Sequence, residues 1–197
     1  GLEFQDVIID LNNDTLIFEE GNMIAIHDGK LDNAVLINTT AKSASTLTMH
    51  LDNTAYLENV ITKSDTVKTT GAMEFTGGSI IFDGNLLVEG KFRNRSSNSY
   101  STTITGSVIN NDTISNNYYN LTMYVGGDIH QNGLWNNDNV FLNGTGDQHI
   151  WTTTPFNMTN LEYTGTNGIL VAESDLIFNG VDLDFNNDTI AFEGGTG

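Results

Sequence analysis

Apolar residues along the chain fall into many short clusters, each bounded by Gly, Asn, Asp or Thr. Typical clusters are Val7–Leu11, Thr46–Leu51, Tyr118–Val125, Val140–Leu142 and Leu176–Phe178. No stretch of about eleven residues or more keeps the apolar spacing of an amphipathic helix without such interruptions. Short strands separated by tight turns explain the pattern, so the sequence predicts an all-β fold.

Nearly the same segment occurs at both ends of the chain. Residues 10–21 and 184–195 share eight of twelve positions, and each consists of an apolar strand, an Asn-rich turn and a second apolar strand. A milder version lies at 79–90, and similar apolar triplets recur at intervals of about 20–25 residues. Recurrence of a strand–turn unit is typical of a solenoid. We therefore predict a parallel β-solenoid, or β-helix, with coils of roughly 20–25 residues.

An antiparallel sandwich is the alternative that the same short strands leave open. The turn chemistry favours the solenoid, because Asp-Gly, Asn-Gly and Gly-Gly pairs recur along the whole chain. Stacked coils would place like turn residues above one another, and stacked Asn side chains would then form amide hydrogen-bond ladders.

One polar, basic stretch, 92–101, breaks the pattern and is expected to be an irregular loop. It does not divide the chain convincingly, so residues 1–197 are expected to form one solenoid domain. We interpret this domain as a fragment or a repeat unit of a longer chain.

Composition narrows the classes of partner. The 25 acidic and 7 basic residues give a formal net charge of -18, and no Lys or Arg follows Arg95. Nucleic acid would be repelled, since its binding depends on cations that neutralise phosphates. No apolar run reaches the roughly 18 residues of a membrane helix, so no membrane insertion is expected. The chain has no cysteine, and therefore no disulfide holds the fold.

One register of apolar and turn residues runs through 133–150, 156–161 and 169–189, and a looser version of it extends over 7–87. In this register the chain resembles repeats found in large secreted surface proteins of Bacteroidetes. Proteins of this family are exported through a type IX secretion route. The resemblance implies a parallel β-solenoid, an extracellular or cell-surface location in a bacterium, and a role in adhesion or filament formation.

Two acidic turns place oxygen-bearing side chains at alternate positions, as calcium loops do. Both lack the glycine and the distal glutamate that an EF-hand needs. Turns whose Asx side chains bond their own backbone are the simpler interpretation, and calcium between stacked turns is the alternative. The candidate calcium ligands are Asp10, Asn12, Asp14, Asp184, Asn186 and Asp188. No other cofactor is indicated.

The four histidines form two pairs with near-coil spacing, His27 with His50 and His130 with His149. A metal site needs at least three convergent ligands, and no HxxxH spacing is present. The histidines are therefore expected to be isolated polar surface residues.

Aromatic residues in the second half could form a flat platform on which sugar rings stack. Packing in the core or at the edges of coils is the competing interpretation. The candidate platform residues are Tyr118, Tyr119, Tyr124, Trp135 and Trp151.

Catalytic motifs are not evident: the chain has no nucleophile elbow, P-loop or dinucleotide fingerprint. The leading hypothesis is a non-enzymatic, extracellular β-solenoid that is structural or adhesive. Its partners would be neighbouring repeats or further copies of itself, assembled end to end into a fibre. The alternatives are a carbohydrate-binding module, with glycans as ligands, and a tailspike-like β-helix that degrades polysaccharides.

Overall fold

A computed structural model describes residues 1–18, 23–38, 45–52, 55–95, 98–116 and 119–193. These residues form strands and turns without any helix, which confirms the all-β prediction. Accordingly, none of them belongs to a helix long and apolar enough to cross a membrane. The strands are β1 (Leu2–Gln5), β2 (Ile8–Asp10), β3 (Thr15–Phe18), β4 (Met23–His27), β5 (Lys30–Asn38), β6 (Thr46–Leu51), β7 (Tyr56–Val88), β8 (Lys91–Asn94), β9 (Tyr100–Ile104), β10 (Val108–Asn110), β11 (Thr113–Asn116), β12 (Leu121–Val125), β13 (Ile129–Gln131), β14 (Leu134–Asn136), β15 (Asn139–Leu142), β16 (Gln148–Thr152), β17 (Asn160–Tyr163), β18 (Leu170–Ala172), β19 (Asp182–Asp184) and β20 (Ile190–Phe192).

The described strands pair in parallel, and strands inside the stack pair with one strand a coil earlier and one a coil later. Val108 lies beside Ile129, which lies beside Ile150, so these coils are 21 residues long. The shortest offset, 17 residues, joins Thr122 to Asn139, and the longest, 26 residues, joins Lys30 to Tyr56. The chain is thus a parallel β-solenoid of about eight turns, as predicted, and the antiparallel sandwich is excluded.

Most coils contribute three strand segments, which stack into three faces, and in the last coils face 2 is continued only by isolated bridges at Phe156 and Phe178. Face 1 contains β1, β4, β6, residues 66–71 and 86–88 of β7, β10, β13, β16, β18 and β20. Face 2 contains β2, residues 30–32 of β5, residues 56–58 and 72–75 of β7, β8, β11 and β14. Face 3 contains β3, residues 35–38 of β5, residues 61–63 and 80–82 of β7, β9, β12, β15, β17 and β19.

The core lies between the three faces and is built from alternate residues of each strand. In β12, for example, Leu121, Met123 and Val125 are fully buried, while the residues between them reach the surface. Because successive coils are in register, each inward side chain contacts its equivalents above and below. The buried residues form one continuous cluster along the stack.

Aromatic residues form a row inside face 2. The ring centroids of Phe75 and Phe92 are 5.4 Å apart, those of Trp135 and Phe156 are 5.8 Å apart, and those of Phe156 and Phe178 are 5.6 Å apart. Rings at such distances attract each other beyond the effect of simple burial.

Amide ladders connect the coils, as the sequence predicted. In the buried corner after β10 and β13, Asn110 Nδ2 donates to Gln131 Oε1 at 2.9 Å, and Gln131 Nε2 donates to Thr154 Oγ1 at 3.0 Å. At the surface, Asn132 Nδ2 donates to Asn111 Oδ1 at 3.0 Å. These bonds satisfy polar groups that would otherwise be costly to bury.

The expected loop at 92–101 is corrected by the structure. Residues Lys91–Asn94 form β8, and Tyr100 begins β9, so only the residues between these strands connect them. Phe92 is fully buried and packs against Phe75 in a tilted arrangement, although its neighbours are basic. The polar neighbours point outwards in an ordinary alternating strand, which the composition of the segment concealed.

The two tryptophans provide a direct test of this arrangement, because Trp135 is fully buried whereas Trp151 is partly exposed. We expect Trp135→Ala to lower the free energy of unfolding by about 3–5 kcal/mol, since it leaves a large cavity. Trp151→Ala should cost about 1 kcal/mol or less. Urea unfolding followed by circular dichroism measures both. A larger loss for Trp151→Ala than for Trp135→Ala would contradict the inward and outward assignment.

Candidate functional site

The aromatic residues predicted to form a sugar platform lie on different sides of the molecule. Trp151 lies outside face 1 and Tyr124 outside face 3, whereas Trp135 belongs to the core behind face 2. Tyr119 precedes β12 and is 46% exposed. Tyr118 lies outside the described residues. The structure therefore does not bring these candidates together into one flat surface.

Trp135 is a core residue rather than a ligand-binding residue, which corrects the sequence-based expectation. It is 0% exposed, and its indole N–H donates to Asn137 Oδ1 at 3.0 Å. That bond satisfies the single polar atom of the buried ring. A sugar cannot reach this side chain.

Tyr124 stacks on Phe141, an outward residue that the sequence analysis missed. The two ring centroids are 5.0 Å apart and the ring planes differ by 15°. Their strands are adjacent, so the rings stack along the solenoid axis and cover each other's faces. What they offer to solvent is mainly ring edges, which is unfavourable for stacking a sugar. The stacking of Phe141 on Tyr124 could have been predicted only if the 17-residue offset between their strands had been known.

Trp151 is at the centre of a second outward cluster, which we call the Trp151 cluster: His130, His149, Trp151 and Glu173. His130 covers one face of the indole, with centroids 4.2 Å apart and planes 6° apart, and the His149 ring lies 5.6 Å away. His149 Nδ1 is hydrogen-bonded to Glu173 Oε1 at 2.5 Å. The second histidine pair is therefore not isolated, since both rings pack against Trp151.

The acidic turn near the start of the chain is closed by its own side chains. Asp10 Oδ1 accepts hydrogen bonds from the Asn12 backbone N–H at 2.8 Å and from Asn33 Nδ2 at 3.1 Å. Asn12 and Asn13 adopt left-handed backbone conformations, with φ of 52° and 67°. The Asn12 and Asn33 hydrogen bonds lower the pKa of Asp10, because they favour the charged carboxylate. Asp14 donates its backbone N–H to Leu11 O, which completes the turn.

The acidic turn near the end repeats this geometry. Asp184 Oδ1 accepts the Asn186 backbone N–H at 2.8 Å, and Asn186 and Asn187 have φ of 49° and 67°. Asn186 Nδ2 donates to Glu162 Oε1 at 3.1 Å, and the backbone N–H of Asp188 donates to Phe185 O. These contacts agree with the interpretation as Asx turns. They leave calcium binding as a hypothesis to be tested.

Four side chains converge outside face 1 near the start of the stack, and we call them the N-terminal histidine cluster: Glu3, His27, His50 and Asp52. His27 Nδ1 lies 2.7 Å from Asp52 Oδ2, and His27 Nε2 lies 3.3 Å from Glu3 Oε1. His50 Nε2 lies 3.3 Å from Asp52 Oδ1. The expectation that His27 and His50 are isolated is therefore wrong.

The two carboxylates of the N-terminal histidine cluster bias the protonation of His27. The hydrogen bond to Asp52 raises the pKa of His27, and the charges of Asp52 and Glu3 act in the same direction. In return, the His27 hydrogen bond lowers the pKa of Asp52. These groups reach solvent, so screening limits their effect on stability.

Three of the described basic residues pair with acids on face 2 or beside it. Lys30 Nζ contacts Asp32 Oδ2 at 2.7 Å and Glu58 Oε2 at 3.0 Å, and these carboxylates raise the pKa of Lys30. Arg93 and Arg95 both contact Glu74, whose side chain is almost fully buried. These cations therefore neutralise neighbouring acids instead of forming a patch for a polyanion.

No protein-family model, curated protein or solved structure matches this chain.

The titration of His27 tests the geometry of the N-terminal histidine cluster. In metal-free buffer, NMR should find the pKa of His27 above 6.5, and Asp52→Asn should move it down. Because the folded pKa exceeds the unfolded value, protonated His27 stabilises the fold below about pH 6.5. That contribution disappears as the pH rises through the folded pKa. Glu173→Gln, on the distant Trp151 cluster, serves as the control. A pKa at or below 6.5 would contradict the hydrogen bond to Asp52.

A calcium titration tests the two acidic turns. We expect equal thermal unfolding midpoints with calcium and with a chelator, because Asp10 and Asp184 already accept hydrogen bonds within their own turns. Differential scanning calorimetry measures the midpoints. A calcium-dependent rise that disappears in Asp10→Asn or Asp184→Asn would show that a turn binds the ion.

Proposed function

We propose that this chain is a non-enzymatic structural or adhesive segment of an extracellular β-solenoid, and that its stack extends end to end into a fibre. This proposal rests on the incomplete strand pairing and the exposed apolar side chains in the first and last coils of the solenoid. At each end, strands have a partner on one side only among the described residues, and core-facing apolar side chains are uncovered.

The last coil exposes residues that occupy core positions. Leu183 pairs with Leu161, which is 1% exposed, and Phe192 pairs with Ala172, which is also 1% exposed. Leu183 itself is 42% exposed and Phe192 is 70% exposed. A further coil placed on β19 and β20 would bury both side chains and pair the open edges.

The first coil has the same character. Leu2 pairs with Ile24, which is fully buried, yet Leu2 is 37% exposed. Phe4, Ile9 and Leu16 also face the core and are only partly buried. Parallel strands have a direction, so the end of one stack fits the beginning of another. Such head-to-tail contacts do not close on themselves and therefore build filaments.

The similar terminal segments lie at different corners of the solenoid. Asp10 ends a strand of face 2, whereas Asp184 ends a strand of face 3. A copy that repeats the segment 10–18 at 184–192 would therefore be rotated by one face. This rotation supports a fibre in which each copy is turned relative to the one before it, rather than a fibre in which equivalent faces of successive copies are aligned.

Stiffness and repetition suit a structural role. Columns of parallel backbone hydrogen bonds run along all three faces, and amide ladders reinforce the corners. A stack of this kind presents similar weak contacts many times over, which raises the total strength of adhesion. The resemblance to Bacteroidetes surface repeats supports the extracellular setting.

Self-association measured by analytical ultracentrifugation tests the proposal. Phe192→Lys and Leu183→Lys place a charge on the open edge and should weaken association by about tenfold or more, which corresponds to about 1.4 kcal/mol. Association should strengthen as salt screens the net charge of -18.

The matched control for this experiment is Leu134→Lys. Leu134 is 47% exposed but lies in β14, which has further coils on both sides, so the substitution should leave association unchanged. A protein that stays monomeric at high concentration and high salt would contradict end-to-end assembly.

The two alternative functions, a carbohydrate-binding module and a polysaccharide-degrading enzyme, predict different experimental results. Binding on a glycan array that is lost in Trp151→Ala would favour a carbohydrate-binding module. Release of oligosaccharides from a polysaccharide would favour a degrading enzyme. Tyr124 and Phe141 cover each other's faces and His130 covers one face of Trp151, so sugar binding has less support than assembly.

A further inference from the structure

We propose that His27, His50 and Asp52 form a binding site for one divalent transition-metal ion of the zinc class, on the outer side of face 1. The site would join two adjacent coils, since His27 belongs to β4 whereas His50 belongs to β6. Asp52 is the first residue after β6. It is independent of the assembly proposed above.

The three side chains already converge. One ligand atom from each residue lies within 4.8 Å of the other two. In a tetrahedral zinc site with metal–ligand distances of about 2.1 Å, ligand atoms are about 3.4 Å apart. The Asp52 carboxylate is 2.7 Å from His27 Nδ1 and 3.3 Å from His50 Nε2, so small side-chain rotations suffice.

Solvent access allows both the rotations and the entry of an ion. The side chains of His27, His50 and Asp52 are 26%, 37% and 48% exposed. The backbone beneath them is held in the parallel register of β4 and β6, in which Ala25 lies beside His50. A fixed backbone with adjustable side chains is a suitable frame for a surface metal site.

Neighbouring residues orient both imidazoles. His27 Nε2 lies 3.3 Å from Glu3 Oε1, and His50 Nδ1 lies 3.0 Å from Thr70 Oγ1. When a metal binds, the outer partner would accept the N–H of each ring, and the nitrogen that faces Asp52 would be deprotonated and bind the ion. Histidine ligands in metalloproteins have such partners as a rule, and the partners raise ligand basicity. Glu3 and Thr70 are therefore positioning residues.

The donor set indicates the class of ion. Two imidazole nitrogens and one carboxylate suit zinc, nickel, cobalt or copper, whereas calcium prefers oxygen ligands alone. Three protein ligands leave a fourth position for water. The proposed site therefore differs in chemistry and in place from the acidic turns.

The Trp151 cluster offers a control within the same chain. It also contains two histidines and a carboxylate, but His130 stacks flat on Trp151 and only His149 contacts Glu173. The described residues contain one group of three or more convergent His, Asp or Glu ligands, and it is the one with His27. Removing the other two histidines should leave metal binding intact.

Metal titration of the full chain without a polyhistidine tag tests the proposal. Isothermal titration with zinc should find one ion per chain, and cobalt should give the intense visible absorption of a four-coordinate site. Zinc should raise the thermal unfolding midpoint, by more as its concentration exceeds the dissociation constant. His50→Gln and Asp52→Asn should abolish all three signals, whereas the double variant His130→Gln/His149→Gln should keep them.

Glu3→Gln separates positioning from simple structure. It should weaken zinc binding by about 10–100-fold while the stoichiometry stays at one. Circular dichroism of the metal-free variants checks that the fold is retained, and Asp52→Asn and His50→Gln provide independent readings if one of them misfolds. Absence of zinc and cobalt binding, binding that persists in both variants, or equal loss in the His130/His149 double variant would overturn the proposal.

Discussion

Every feature of this molecule depends on parallel strands that stack in register from one coil to the next. Inside the stack, the backbone of a strand bonds to strands about one coil away on both sides, so an inward residue is buried by its equivalents above and below. Apolar surface removed from water in this way contributes about 25 cal/mol per Å², and the row of equivalents multiplies that gain. The same geometry leaves the first and last coils half covered, which is why their core positions reach solvent.

Stacking in register can also bring like charges of adjacent coils together. Two arrangements of side chains reduce the resulting repulsion. In the first half, cations alternate with acids across coils, as in the contacts of Lys30 with Glu58 and of Lys68 with Glu89. After Arg95 there is no Lys or Arg, and stacked amides and rings replace the ion pairs. Neutral amides and rings that stack in register do not repel one another.

Much of the fold was predictable from the sequence, because similar residues recur once per coil in a solenoid. The related segments at 10–21 and 184–195 and the recurring turns indicated parallel coils of the correct length. The direction of individual side chains was harder to predict, since it depends on the exact strand positions. Trp135 and Trp151 have similar neighbours in sequence, yet one faces the core and the other faces solvent. The N-terminal histidine cluster could not be predicted from the sequence either. Asp52 contacts His27 only because β6 pairs with β4 at an offset of 25 residues.

Distances between spin labels along face 1 test the in-register stacking most directly, and the absence of cysteine makes labelling simple. Met23, Thr48, Lys68, Leu87, Ile109, His130 and Trp151 form one outward column through successive coils. With one label at Met23→Cys and the other at Ile109→Cys, His130→Cys or Trp151→Cys, electron spin resonance should give backbone separations of about 19, 24 and 29 Å. These values are four, five and six steps of about 4.8 Å. Separations that do not grow by one such step per coil would contradict the parallel stack.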